Sequence, residues 1–197
     1  MKNLLKALAA ILALGCAQAA NATPIQFRAI LSGTNEVPPT GSPGFGQATV
    51  FIDPALDTMQ VNITFGGLLG NTTAAHIHCC LASPFLTGVS VGVATTTPNF
   101  TGFPLGVKSG TYSNLFDMTL ASSYNPAFVT AQGSIPLAED ALFTGIENGE
   151  TYLNVHTDQF RSGEIRGFLV FVPEPVTLSM FGAGLVGAAL LRRRRKA

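Results

Sequence analysis

Three histidines make up the whole imidazole complement of this 197-residue chain, and they are grouped. His76 and His78 stand in Ala75-His76-Ile77-His78, and His156 stands in Asn154-Val155-His156-Thr157. On a strand, residues i and i+2 share a face, so His76 and His78 project together while Ile77 turns the other way. By the same alternation Leu153 and Val155 face a core, which leaves Tyr152, Asn154 and His156 on the opposite side. If the two segments are neighbouring strands, three imidazoles converge. Neutral imidazole is the commonest metal ligand, and three are enough for one copper or zinc ion with an open coordination position. Cys79 and Cys80 follow His78 directly. As thiolates they are soft metal ligands. As neighbours they have three other fates: a vicinal disulfide that stiffens the loop, a bond to another chain, or free thiols. The plain alternative for the histidines is structural, with His78 held by Glu164 or Asp158.

Other polar residues read as internal architecture. Ser162-Gly163-Glu164-Ile165-Arg166-Gly167 puts Glu164 and Arg166 on one strand face, where they pair with each other or with partners across a sheet. Leu31-Ser32-Gly33-Thr34-Asn35-Glu36-Val37-Pro38-Pro39 is a stiff loop whose Glu36 can anchor a basic group or a backbone amide. A hydrolytic triad has no Gly-x-Ser-x-Gly elbow to hold its nucleophile, and nothing in their spacing selects Glu36, Glu150 and Glu164 as paired glycosidase carboxylates. The chain is therefore read as a non-enzyme. Asn62-Ile63-Thr64, Asn71-Thr72-Thr73 and Asn99-Phe100-Thr101 match the N-glycosylation pattern, which is common by chance.

The elements that must position these residues show period-two alternation. Ile25, Phe27, Ala29 and Leu31 mark one strand. Ala48, Val50 and Ile52, then Met59, Val61, Ile63 and Phe65, mark a hairpin across Asp53-Pro54-Ala55-Leu56-Asp57, where Pro and Asp suit a turn. Further strands are predicted over Val89 to Ala94, Phe128 to Ile135, Tyr152 to His156 and Ile165 to Val172, with one short helix near Pro136 to Phe143. Thr96 to Met118 lacks clean alternation and is predicted to be a long surface insertion. The fold class expected is all-β, a single antiparallel β-sandwich or barrel.

The two ends have a different character. Met1 to Ala22 carries Lys2 and Lys6, an apolar run from Leu4 to Leu14 and then small residues, the three parts of a secretory signal peptide. Cleavage fits after Ala19 or after Ala22. Cys16 admits a lipoprotein reading, although Ala13-Leu14-Gly15-Cys16 lacks the usual apolar residue three before the cysteine. Val176 to Leu191 contains no charge and is followed by Arg192, Arg193, Arg194, Arg195 and Lys196. It reads as a transmembrane helix, short against the roughly 20 residues that span the hydrocarbon core, with the arginines on the cytoplasmic side. Seven of the eleven basic residues lie in these ends, so the 23–172 domain keeps four against ten acids, a net charge of −6. Such a domain lacks the basic patch that a nucleic-acid partner needs. About 150 residues make one domain with its own core.

Two resemblances follow. Val172-Pro173-Glu174-Pro175, the apolar segment and the terminal arginines resemble the PEP-CTERM sorting signal of Gram-negative, exopolysaccharide-producing bacteria. That resemblance implies a chain exported through the inner membrane, cut near Pro173-Glu174-Pro175 by an exosortase, and delivered to the cell surface or the extracellular matrix. The logic is that of tail removal at a GPI anchor, and exopolysaccharide or matrix components are the implied partners. The domain between the ends resembles the CHRD domain, through Phe27-Arg28-Ala29, the Leu31 to Pro39 loop, His76-Ile77-His78, Tyr152 to Thr157 and Gly163-Glu164-Ile165-Arg166-Gly167. Cys79-Cys80 departs from the Gly and small residues of many members. The resemblance implies an all-β module, structural or binding, with no established enzymatic activity. The spacing of the histidines is also similar to that of Cu/Zn superoxide dismutase. That family uses more than three, so only a mononuclear site fits here.

Overall fold

The computed structural model describes residues 23–173. The signal peptide over 1–22 lies outside the described residues, as do Glu174, Pro175, the apolar segment and the basic tail. Among the described residues no helix is long and apolar enough to cross a membrane.

Alternating burial builds the first strands. In β1 (Ile25–Ser32) Phe27, Ala29 and Leu31 are buried while Arg28 and Ile30 face out. β2 (Phe45–Asp53) and β3 (Thr58–Gly66) pair antiparallel with Ala48 opposite Ile63, Val50 opposite Val61 and Ile52 opposite Met59, so one continuous apolar face forms. Asp53 closes the turn between them, its Oδ1 accepting from the amides of Ala55 and Leu56 at 3.0 and 3.2 Å. This hairpin is the one the alternation predicts.

β4 (Thr72–His78), β5 (Gly110–Asp117), β6 (Tyr152–Thr157), β7 (Ile165–Phe168) and β8 (Val170–Phe171) complete one eight-stranded sheet. Its order is β4-β6-β7-β1-β2-β3-β5, with β8 also against β1, and every pairing is antiparallel. The sheet curls into a half-barrel. Residues 93–108 run along the β4 edge, where Ala94 donates to the Ile77 oxygen, Phe100 to that of Ala75 and Thr72 to that of Val107, and they meet β5 where the Tyr112 hydroxyl donates to the Thr101 oxygen at 3.0 Å.

The fold departs from expectation in five places. Thr96 to Met118 is not a surface insertion, because Phe100, Phe103, Tyr112, Phe116 and Met118 are buried and β5 is a full strand of the sheet. Phe128 to Ile135 is not a strand. Asn125 caps Ala127, Pro126 occupies the first turn and Gly133 ends the segment with φ +96°, so α1 (Pro126–Gln132) forms. The single short helix expected near Pro136 is longer, α2 (Ile135–Glu147), capped by Ser134 and burying Ala138, Leu142, Phe143 and Ile146. Val89 to Ala94 forms no strand and makes one isolated bridge, between Val93 and His78. The Ile165 to Val172 strand is broken in two at Leu169, whose side chain is buried and whose amide donates to Thr151.

Candidate metal centre

The register of β4, β6 and β7 lays out the site. His78 sits opposite Tyr152, His76 opposite Asn154 and Ala74 opposite His156; Asn154 in turn sits opposite Arg166, and Tyr152 opposite Phe168. Side chains of paired residues share a face, so the predicted convergence occurs. One ring nitrogen from each of His76, His78 and His156 lies within 4.8 Å of one from each of the others. The ring centroids are 5.2 to 6.2 Å apart. His76 and His78 are buried and His156 is half-buried, which makes it the ring nearest solvent. Among the described residues no other cluster of metal-ligating side chains forms.

Each imidazole is oriented by a backbone carbonyl. His76 Nε2 lies 2.6 Å from the Pro98 oxygen, His78 Nδ1 2.7 Å from that of Val91, and His156 Nδ1 2.8 Å from that of Arg161. A carbonyl only accepts, so these three nitrogens carry the protons. The other nitrogens, His76 Nδ1, His78 Nε2 and His156 Nε2, are then lone-pair acceptors, and all three are buried without a partner. Burial lowers the pKa of His76 and of His78 to about 4, and lowers that of His156 as well, so the rings are neutral at ordinary pH. A second nitrogen tied to a carbonyl with the first left free is how metal-binding histidines are held. Zinc or copper at about 2.0–2.1 Å from each nitrogen suits this donor set, needing small side-chain rotations to draw the three together.

A strap from Val89 to Pro98 supplies two of the three orienting carbonyls. Tyr152 fastens it: its hydroxyl lies 3.2 Å from the Val91 amide and 3.3 Å from the Val91 oxygen, while its ring stacks on His78 at 4.7 Å and 10°. Arg166 also lies over the Tyr152 ring, its Cζ 4.4 Å from the centroid.

Arg166 and Glu164 do not pair with each other. Arg166 is 1% exposed and donates through Nε to the Asn35 oxygen and through Nη1 to the Val89 oxygen at 3.2 Å; Glu36 Oε2 lies 3.9 Å from its Nε. The expectation that Glu36 anchors a basic group therefore holds. Burial outweighs that cation, however, and raises the Glu36 pKa to about 7. Gly163, at φ +128°, makes room for this acid, because a Cβ there would overlap Glu36 Oε1 and stand 2.7 Å from Asn154 Nδ2. Glu164 accepts four hydrogen bonds, from the amides of Leu69 and Gly70 and the hydroxyls of Ser42 and Thr157, at 2.6 to 3.1 Å. Burial alone would raise its pKa, but these bonds hold it below the ordinary value.

Two expectations about the cluster are corrected. Neither Glu164 nor Asp158 holds His78: the four donors engage Glu164, and Asp158 accepts from the Asn71 amide and side chain. Cys79 and Cys80 are not ligands beside the imidazoles. They form a vicinal disulfide, and both sulfurs lie against the Ala141 oxygen of α2, at 3.8 and 3.5 Å. The strap carbonyls and the clamping role of Tyr152 are absent from the sequence reading, since no side-chain pattern encodes a carbonyl's direction.

The chain matches the CHRD domain over residues 27–169, which covers the whole of this arrangement, and it belongs to that family. No curated protein and no solved structure matches it.

Proposed function

We propose that this CHRD-domain chain is an exported, non-catalytic extracellular module that binds one copper or zinc ion through His76, His78 and His156. Family membership suggests a non-catalytic extracellular module. The observation that carries the metal reading is the set of three buried, unpartnered ring nitrogens on neutral imidazoles, each with its second nitrogen tied to a carbonyl. No carboxylate or thiolate belongs to the cluster among the described residues, so the site is a neutral N3 set open on the His156 side. The acidic domain favours approach of a cation.

Metal content of the purified chain, measured by mass spectrometry after dialysis against zinc or copper, tests this directly. One equivalent is expected for the native chain and less than a tenth of that for a His76→Ala/His156→Ala variant. Sub-stoichiometric metal in both would overturn the reading.

The ends support the export half of the proposal. A signal peptide over 1–22 and a sorting signal of Pro173, Glu174, Pro175, apolar segment and Arg192 to Arg195 send the domain through the inner membrane. An exosortase then releases it to the surface or to an exopolysaccharide matrix. Intact mass of the mature protein decides this half: loss of both ends supports it, and retention of the C-terminal arginines refutes it.

A further inference from the structure

We propose that the Cys79–Cys80 disulfide is a redox clasp that sets the metal affinity of the three-histidine site, a regulation that rests on the metal reading above. Three features of the structure lead there.

The first is position. Cys79 follows His78 at the end of β4, and its amide donates to the Gly92 oxygen at 3.2 Å. Gly92 is the neighbour of Val91, whose oxygen fixes the proton, and so the free nitrogen, of His78. The disulfide and the imidazole are thus joined twice, through the chain and through the strap.

The second is space. The two sulfurs face α2 at its glycine: a Cβ on Gly145 would stand 2.6 Å from Cys79 Sγ and 2.9 Å from Cys80 Sγ. Bonded sulfurs are about 2.05 Å apart, whereas unbonded heavy atoms settle on the order of 3.5–4.0 Å apart. Reduction breaks that bond and lets the two sulfurs move apart beside α2, Cys79 against the helix and Cys80 toward solvent. Residues 79–80 then shift, and the strap that orients His78 shifts with them. Replacing Gly145 by any other residue would crowd the same place.

The third is access. Cys80 is exposed while Cys79 is buried. A thiolate of a dithiol reductant attacks Cys80 Sγ, and the S–S electron pair leaves on Cys79 Sγ, which takes up a proton. The reductant's second thiol then attacks the mixed disulfide and releases the Cys80 thiol. Two electrons and two protons pass to the chain, and the reductant becomes a disulfide. In the disulfide form both sulfurs face α2, outside the three-histidine cluster, so reduction loosens a ligand already there rather than adding one.

The test is cobalt(II) and zinc(II) affinity of the full chain, solubilised in detergent, measured by competition with a chromophoric chelator. Three forms are compared: oxidised, reduced by a phosphine that is then removed, and reoxidised. The reduced form is expected to bind at least tenfold more weakly, in line with the cost of losing a partner that orients a ligand, and reoxidation is expected to restore affinity. A Cys79→Ser/Cys80→Ser variant is expected to match the reduced form. Equal affinity in the oxidised and reduced forms would overturn the clasp while leaving the site intact. Tighter binding on reduction, with a sulfur-to-cobalt charge-transfer band, would overturn it in favour of thiolate ligation. Absence of binding by every form would instead refute the metal reading itself.

Discussion

Acidification tests the electrostatics of this face most sharply, because two groups of opposite sense lie on it. The pKa values of His76 and His78 stand at about 4 in the fold against 6.5 unfolded, so between those values the unfolded chain binds more protons. Stability then rises with pH, and it is lost as pH falls from 6.5 to 4. Each imidazole costs about 3 kcal/mol over that range, at about 1.36 kcal/mol per pH unit. Glu36 runs the other way. Its pKa is about 7 in the fold against 4.5 unfolded, so the fold binds its proton first and stability is gained as pH falls from 7 to 4.5, again by about 3 kcal/mol. From pH 7 to pH 4 the native chain, stripped of metal, is expected to lose about 3 kcal/mol from these three groups. Glu36→Gln removes the opposing gain, and its loss should be about 6 kcal/mol. His156 and Glu164, both with lowered values, steepen the acid loss equally in the two proteins. Urea unfolding in the presence of a chelator, at half-unit pH steps, reads the difference. Equal pH slopes for the native and Glu36→Gln chains would refute the assignment of Glu36 as a buried acid that is neutral near pH 7.

Gly163→Ala combines a backbone at φ +128° with a side chain that overlaps Glu36 Oε1, so it should destabilise the domain by about 2–4 kcal/mol; a loss below about 0.5 kcal/mol by urea titration would show that the loop yields freely. Zinc at about a thousandfold over its dissociation constant should stabilise the native chain by about 4 kcal/mol. That appears as a rise in Tm that a His76→Ala/His156→Ala variant lacks, and an equal rise in both would place the ion elsewhere.

Much of the site is legible in the sequence because it depends on strand periodicity alone. His76, His78 and His156 share a face by alternation, and Asn154 and Tyr152 follow from the same rule once β4 and β6 pair. What escapes the sequence is whatever depends on loops or on long separations. Arg166 binds Asn35, 131 residues away, and no local pattern announces that partner. Phe100 and Phe103 look like loop residues because Gly and Pro break their period, yet they are buried, stacked on Tyr112 and Phe65 of the sheet. Phe128 to Ile135 alternates like a strand, and only Asn125, Pro126 and Gly133 at its ends mark α1 as a helix. The orientation of Cys79 and Cys80 toward α2 depends on Gly145, a residue with no signal of its own.

The energetic argument for a bound ion comes from where the fold leaves its polar atoms. Among the described residues seven buried side-chain atoms lack a protein partner, and six belong to His76, His78, His156, Asn154, Glu36 and Arg166. Leaving a buried polar atom unsatisfied costs about 1–3 kcal/mol. The three free imidazole nitrogens alone, left bare, cost about 3–9 kcal/mol, comparable to the net stability of an ordinary domain, some 5–15 kcal/mol. A face kept only for structure would shed that cost by becoming apolar, since β6 already buries Leu153 and Val155 on its other side without penalty. The Glu164 pocket shows how this same chain treats a purely structural polar group, meeting the carboxylate with four donors. The imidazoles are treated differently: one nitrogen of each is fixed and the other is left free. That asymmetry within one sheet is what ligands held ready for a cation require, and it is the ground on which we propose His76, His78 and His156, rather than the acids, as the metal ligands.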